Sequence, residues 1–150
     1  MAVGEICSRE VVFARKGESV RTAARLMREH HVGALVIVEE RNGRRIPVGI
    51  ITDRDIVIAI VAKEVDADGL RVEEVMSTDL VTAVETEGIS ECIAKMRAKA
   101  VRRVPVIDAR GELVGIVTAD DFLDLLAEEL SGLARMMANE QRREAQVRTV

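Results

Sequence analysis

Two heptapeptides carry the side chains best suited to chemistry. They are Gly49-Ile50-Ile51-Thr52-Asp53-Arg54-Asp55 and Gly115-Ile116-Val117-Thr118-Ala119-Asp120-Asp121. Each closes an aliphatic run and opens a helical pattern, which places Thr52 and Thr118 at helix N-caps with the first backbone amides facing outward. A helix start of this kind suits a phosphate. One turn further on, Asp55 and Asp121 project a carboxylate from the same end of the helix. Such a carboxylate can accept two hydrogen bonds from a ribose 2′,3′-diol, at about 1.5–3 kcal/mol each. Gly49 leaves room in its strand for the close approach of a backbone or a ligand. These are the parts of a ribose-phosphate site. Thr-x-x-Asp is also a capping box with Asp in the Glu position, and capping alone would account for a single copy. Recurrence at the same point of two repeats favours the ligand.

The elements that must position these residues come in two copies. Residues 3–39 align without a gap onto residues 72–108, with nine of 37 positions identical, among them Ser8/Ser77, Val12/Val81, Met27/Met96 and Val32/Val101. The heptapeptides continue the alignment after a hairpin that is three residues shorter in the second copy. In copy one, residues 10–14 predict a short strand. Ser19 caps a helix carrying Val20, Ala23, Ala24 and Met27 on one stripe, which ends near His30-His31. Residues 34–38 and 48–52 are strands joined through an Asn42-Gly43 turn, and Ile56, Val57, Ile60 and Val61 mark a second helix. Each repeat therefore reads β-α-β-β-α. Units this small rarely bury enough surface alone, so the two copies are expected to pack sheet against sheet about a pseudo-twofold axis, leaving a pair of equivalent clefts. The fold class is α/β (α+β), with repeats at 3–64 and 72–129, a linker at 65–71 and a helical extension at 130–150.

Composition removes other classes. Of 150 residues, 48% are hydrophobic and 22 are valine, but only Phe13 and Phe122 are aromatic. Readers of single-stranded nucleic acid stack bases on aromatic platforms, which this chain lacks. A net charge of -4 and a pI of about 5.3 argue against a duplex binder. No apolar run approaches the roughly 20 residues that span a bilayer, and no secretory signal is visible, so a cytoplasmic location is expected. Cys7 and Cys92 lie far apart and outside any metal spacing, as reduced core thiols would. His30-His31 has no third ligand at sensible spacing, so it reads as a helix end and no metal site is expected. The aspartates have no nucleophile or His beside them, and an enzyme is not expected.

With the duplicated unit, the runs His31-Val32-Gly33-Ala34-Leu35-Val36-Ile37-Val38 and Val101-Arg102-Arg103-Val104-Pro105-Val106-Ile107-Asp108, and the two heptapeptides on the page, the chain resembles a tandem pair of cystathionine β-synthase (CBS) domains over about residues 3–128. The resemblance implies a Bateman module, a regulatory pair that binds adenosine derivatives in up to two clefts. It assigns the ribose to Asp55 and Asp121, and the phosphate or ribose to Thr52 and Thr118. One cleft would join Thr118, Asp121 and Ile116 to Val12, Val32 and Gly33. The other would join Thr52, Asp55 and Ile50 to Val81, Val101 and Arg102. Basic residues before the hairpin reach phosphates in this family. That position is Arg102-Arg103 in copy two but Gly33-Ala34 in copy one, and Arg54 corresponds to Asp120, so unequal sites are expected.

The implied ligand is AMP, with ADP, ATP (with Mg²⁺) or NAD behind it, and no cofactor is required. Binding would shift the angle between the repeats for a separate effector protein to read. A scaffold of the same fold that has lost ligand binding is the alternative. Leu123, Leu126, Leu130, Leu133 and Met137 follow the spacing of a helix seam. Together with the disk-like dimers of the family, they point to a homodimer formed through the CBS faces and the C-terminal helix. Arg41, Arg44 and Arg45 make a basic hairpin tip, either solvated or a contact for a partner.

Overall fold

The duplication read in the sequence is built twice in space. The structure, a computed structural model, describes residues 1–149. Its elements are α1 (Val3–Ile6), β1 (Phe13–Arg15), α2 (Val20–His30), β2 (Ala34–Arg41), β3 (Arg44–Thr52) and α3 (Asp53–Ile56). The helical run of α3 continues as a π-turn, Val57–Val61, before a 3₁₀ turn at Val72–Glu74. Then come β4 (Ala83–Val84), α4 (Ile89–Lys99), β5 (Arg103–Ile107), β6 (Leu113–Thr118) and α5 (Ala119–Arg148). Two three-stranded sheets result, ordered β1-β2-β3 and β4-β5-β6. β1 pairs parallel to β2 across α2, and β4 pairs parallel to β5 across α4.

Local chemistry sets the boundaries. Ser19 Oγ accepts the Thr22 N–H at 3.1 Å and starts α2. His31 ends α2 in the left-handed conformation, its N–H donating to the Met27 carbonyl. Asn42 and Gly43 both take positive φ, 53° and 73°, the combination a two-residue hairpin requires. In the second hairpin Asp108 Oδ1 accepts the N–H groups of Glu112 and then of Arg110, which together hold its carboxyl below the usual range. β2 is apolar on both faces because both are covered. Leu35 and Ile37 join Ala14, Ala23, Met27 and Ile51 on the helix side, while Val36 and Val38 meet Leu113 between the sheets.

The two repeats are stitched reciprocally. Ser8 exchanges both backbone hydrogen bonds with Ile116, and the equivalent Ser77 does the same with Ile50, at 2.9–3.1 Å. Val3 donates to Glu87, and its counterpart Val72 donates to Glu18, both at 2.8 Å. Each repeat thus sends its leading segment into the other, and Val72 lies fully buried in the core of repeat one. The crossing explains the heptapeptide glycines. A Cβ at Gly49 would fall 2.6 Å from Met76 Sδ and 2.8 Å from the Ser77 carbonyl. At Gly115 it would fall 2.6 Å from Cys7 Sγ and 3.0 Å from the Ser8 carbonyl. The close approach is therefore by the crossing segment of the other repeat, through a sulfur side chain and a backbone carbonyl at each glycine.

Two elements differ from the sequence reading. β1 begins at Phe13, not at residue 10, because the chain from Ser8 to Val11 is still crossing from the other repeat's sheet and Val12 pairs only through its carbonyl, which accepts the Val36 N–H at 3.3 Å. After β3, Ile60 is buried but Val57 and Val61 are 54% and 65% exposed. Residues 56–62 are apolar on every side of the helix, so one face cannot bury them all.

The chain divides into two compact units, Met1–Val117 and a second that begins at Thr118. The second is α5, which runs unbroken through Gly132. Its seam residues Leu123, Leu126, Leu130, Leu133 and Met137 are 52% to 67% exposed.

Two outcomes follow from this packing. Gly49→Ala and Gly115→Ala should each lower the urea midpoint, by about 1–3 kcal/mol of stability as for overpacked cores. Gly17→Ala, with nothing within 4 Å of the new Cβ, should not. Burial pushes the Cys92 thiol up to about 11. Because the folded value lies above the unfolded one, its contribution to stability holds below the ordinary thiol range and is lost as pH rises towards 11. Cys92→Ala should flatten that alkaline decline in pH-dependent urea melts.

Candidate functional site

The end of β3 and the start of α3 build one wall of a cleft. Thr52 Oγ1 accepts the Asp55 N–H at 3.1 Å, and Asp55 Oδ2 accepts the Thr52 N–H at 2.8 Å. The capping box is thus formed, and it fixes the Asp55 rotamer. Asp55 Oδ1 keeps no hydrogen-bond partner among the described residues, so one carboxylate oxygen remains available to a ligand. Across the cleft stand Val81, which precedes β4, and Val101 and Arg102, which lead into β5. The space between holds about 240 Å³. The volume is small beside the roughly 300–1,000 Å³ usual for ligand clefts, so an occupant of nucleoside size would remain partly in solvent.

The resemblance places Thr52, Asp55, Ile50, Val81, Val101 and Arg102 together, and the structure brings all six to this cleft. Arg103 joins them. Ile50, Val81 and Val101 give apolar walls for a flat base, and the two guanidiniums supply positive charge for a phosphate. Arg54 is exposed on α3 and does not line the cleft.

Ser77, Asp79 and Leu80 line it too, and the sequence pattern assigned none of them to a cleft. Ser77 is there because it bonds to Ile50 across the repeats, and that pairing leaves no local trace in sequence. Its recurrence as Ser8 was the available signal.

One expectation needs correction. The first-turn amides of α3 are not free for an anion. Asp53 N–H donates to the Gly33 carbonyl at 3.0 Å, Arg54 N–H to Asp53 Oδ1 at 2.8 Å, and Asp55 N–H to Thr52. With these donors satisfied inside the protein, positive charge at the cleft comes from Arg102 and Arg103.

The residues expected in the second cleft divide between the two units. In the first unit, Val12 and Val32 line a depression with Phe13, Leu26 and His30, and Ile116 is held by its bonds to Ser8. Gly33 lies against Asp53, whose Oδ2 would meet a Gly33 Cβ at 3.1 Å. In the second unit, Thr118 and Asp121 repeat the capping box. Asp121 Oδ2 accepts from the Thr118 N–H at 2.7 Å and from its hydroxyl at 2.9 Å.

Among the described residues, no group of three or more His, Cys, Asp or Glu could hold a metal ion. No helix there is long and apolar enough to cross a membrane.

The doubled unit with its crossed leading segments has a counterpart among known families. The family model for the CBS domain matches residues 3–62 and again 72–128. The chain belongs to the CBS-domain family. It is 37% identical over 125 residues to an uncharacterised protein of Methanopyrus kandleri, covering 83% of this chain and 62% of that one. The CBS pair thus spans less than two thirds of that relative.

Two solved CBS structures are similar over most of the chain. One is a CBS domain pair in complex with 5′-methylthioadenosine and S-adenosyl-L-methionine, with a TM-score of 0.73 and 31% identity, covering 86% of this chain and 98% of that one. The other is a CBS domain protein of Pyrobaculum aerophilum complexed with AMP, with a TM-score of 0.72 and 28% identity, covering 81% of this chain and 89% of that one.

Thr52→Ala removes the acceptor of the Asp55 N–H. Urea unfolding should report a loss of about 1 kcal/mol, as for other N-caps, with Thr52→Ser close to the parent.

Proposed function

We propose that this CBS pair is a regulatory sensor of adenine nucleotides, with AMP the leading ligand and ADP, ATP or NAD behind it. The observation that carries the reading is the cleft itself. A carboxylate pre-set by its own capping box shares it with two arginines and three aliphatic walls. In this reading Asp55 Oδ1 accepts from the ribose diol, and Asp55 Oδ2 can share its remaining lone pair. Arg102 and Arg103 take the phosphate, with Arg102 suited to a bidentate grip. The base lies between Ile50 and Val81, where apolar burial is worth about 25 cal/mol per Å².

The complexes of related CBS proteins with AMP, and with methylthioadenosine and S-adenosylmethionine, support an adenosine-bearing ligand. The arginine pair favours the phosphate-bearing members of that set. Asp121 and Thr118 carry the equivalent role in the second repeat. Bound nucleotide bridges the two repeats and favours one relative angle, which a separate effector protein reads. The module acts as a homodimer joined through the faces of its repeats and through α5.

Thermal shift against AMP, ATP, NAD and S-adenosylmethionine tests the reading. A ligand at a hundredfold over its Kd stabilises by about 2.7 kcal/mol. AMP should raise the melting temperature, and Asp55→Ala with Asp121→Ala should abolish the rise. Arg102→Ala should weaken AMP while leaving 5′-methylthioadenosine unchanged, since the latter carries no phosphate. A chain that none of the four ligands stabilises is instead a scaffold of the same fold, the role that the exposed seam of α5 would then serve alone.

A further inference from the structure

Beyond residue 128, where the match to the CBS family ends, α5 runs on to Arg148. Most of the exposed seam lies in that extension. Leu130, Leu133 and Met137 are 67%, 57% and 58% exposed, and they continue the line of Leu123 and Leu126. Five large aliphatic side chains on one stripe of one helix are unusual on a free surface.

The charge along the helix says what covers them. Its first half, residues 119–133, holds Asp120, Asp121, Asp124, Glu128 and Glu129 and no basic residue. Its second half, residues 134–148, holds Arg135, Arg142, Arg143 and Arg148 against Glu140 and Glu144. The helix dipole favours such a gradient only within the first and last turns. Glu128, Glu129 and Arg135 lie in the middle, beyond its reach. A parallel pair would set acidic half beside acidic half. An antiparallel pair sets each acidic half beside its partner's basic half and opposes the two dipoles.

We infer that α5 pairs antiparallel with α5 of a second copy of this chain. The inference rests on the homodimer reading above and adds the surface, orientation and register.

Register follows from matching apolar to apolar. Leu130 packs on the partner's Leu133, and Leu126 on the partner's Met137, with each contact repeated by symmetry. Shifting the helices by one heptad so that Leu123 meets the partner's Leu133 would keep leucine on leucine, but it would shorten the overlap to residues 119–137 and leave Arg142, Arg143 and Arg148 outside it. Sliding them apart by one heptad would bring Glu140 and Glu144 onto Leu130 and Leu126. The first register joins four central apolar layers, sets Leu123 opposite Glu140 only at the two ends, and keeps the acidic and basic halves side by side. Ala127 and Ala134 flank the seam on one side and let the backbones approach closely.

Sedimentation equilibrium of the full chain is the first test. The parent should be a dimer, and Leu130→Asp with Leu133→Asp should raise the dimer dissociation constant by about a hundredfold or more, as loss of central anchors does. Both sites are exposed, so circular dichroism and the AMP thermal shift should match the parent. A monomeric parent overturns both the inference and the homodimer reading. A dimer that survives the double variant overturns the inference and leaves the homodimer standing.

Orientation is read by disulfide formation. Leu126→Cys mixed with tagged Met137→Cys should give a cross-linked heterodimer, while either variant alone, and the parent with Cys7 and Cys92, should not. Self-cross-linking of Leu126→Cys would mean a parallel pair and overturn the inference. A dimer that cross-links in none of these mixtures would overturn the register.

Discussion

The exchange of backbone hydrogen bonds between Ser8 and Ile116, and between Ser77 and Ile50, is the constraint from which the rest of the structure follows. It requires a glycine one residue before each isoleucine, because any side chain there would strike the crossing strand. It carries Ile50 and Ser77 to the same cleft, so this cleft is a product of the crossing and would not exist on an isolated repeat. It also accounts for the buried valines at the head of each repeat. Val72 fills the core of the repeat it does not belong to, and Val3 is buried at the equivalent position. The Gly-x-x-Thr-x-x-Asp spacing therefore serves several physical demands at once. The glycine admits a neighbour, the next residue bonds to it, the threonine ends the strand, and the aspartate closes the helix.

Capping and ligand recognition need not compete at this helix start. Asp55 satisfies the Thr52 N–H through Oδ2, and that bond holds Oδ1 in place before any ligand arrives. A carboxylate already ordered gives up little side-chain freedom on binding. The satisfied amides of Asp53, Arg54 and Asp55 leave positive charge at that cleft to side chains, and only the second repeat supplies arginines before its hairpin. The inequality between Gly33 and Arg102 thus has more weight than it would if the start of α3 were open.

What the sequence made legible was what local chemistry encodes. Ser19, Asn42-Gly43, Thr52 and Thr118 marked their caps and turn because each acts on backbone within three residues of itself. The stripe of α5 was legible from spacing, whereas the grouping of the six cleft residues across the two repeats came from the resemblance to the CBS family. The start of β1 was not legible, because residues 9–11, which could pair, instead span the gap between two sheets. Exposure of Val57 and Val61 was equally hidden, since an apolar run with no polar face gives no clue to which side is covered. Asp79 and Leu80 entered the cleft through a pairing made between repeats, which spacing within one repeat cannot report.

The crossed leading segments also bear on how the chain acquires its structure. The strand bridge at Ser8 waits for Ile116, a closure of roughly one hundred residues, and such distant pairings slow folding because the loop must be ordered before the contact rewards it. On the ribosome, the first repeat would emerge with its head unpaired and with the place of Val72 still empty. It could not finish until most of the second repeat had followed it out. The two copies of one motif, although each reads as a unit, are obliged to mature together.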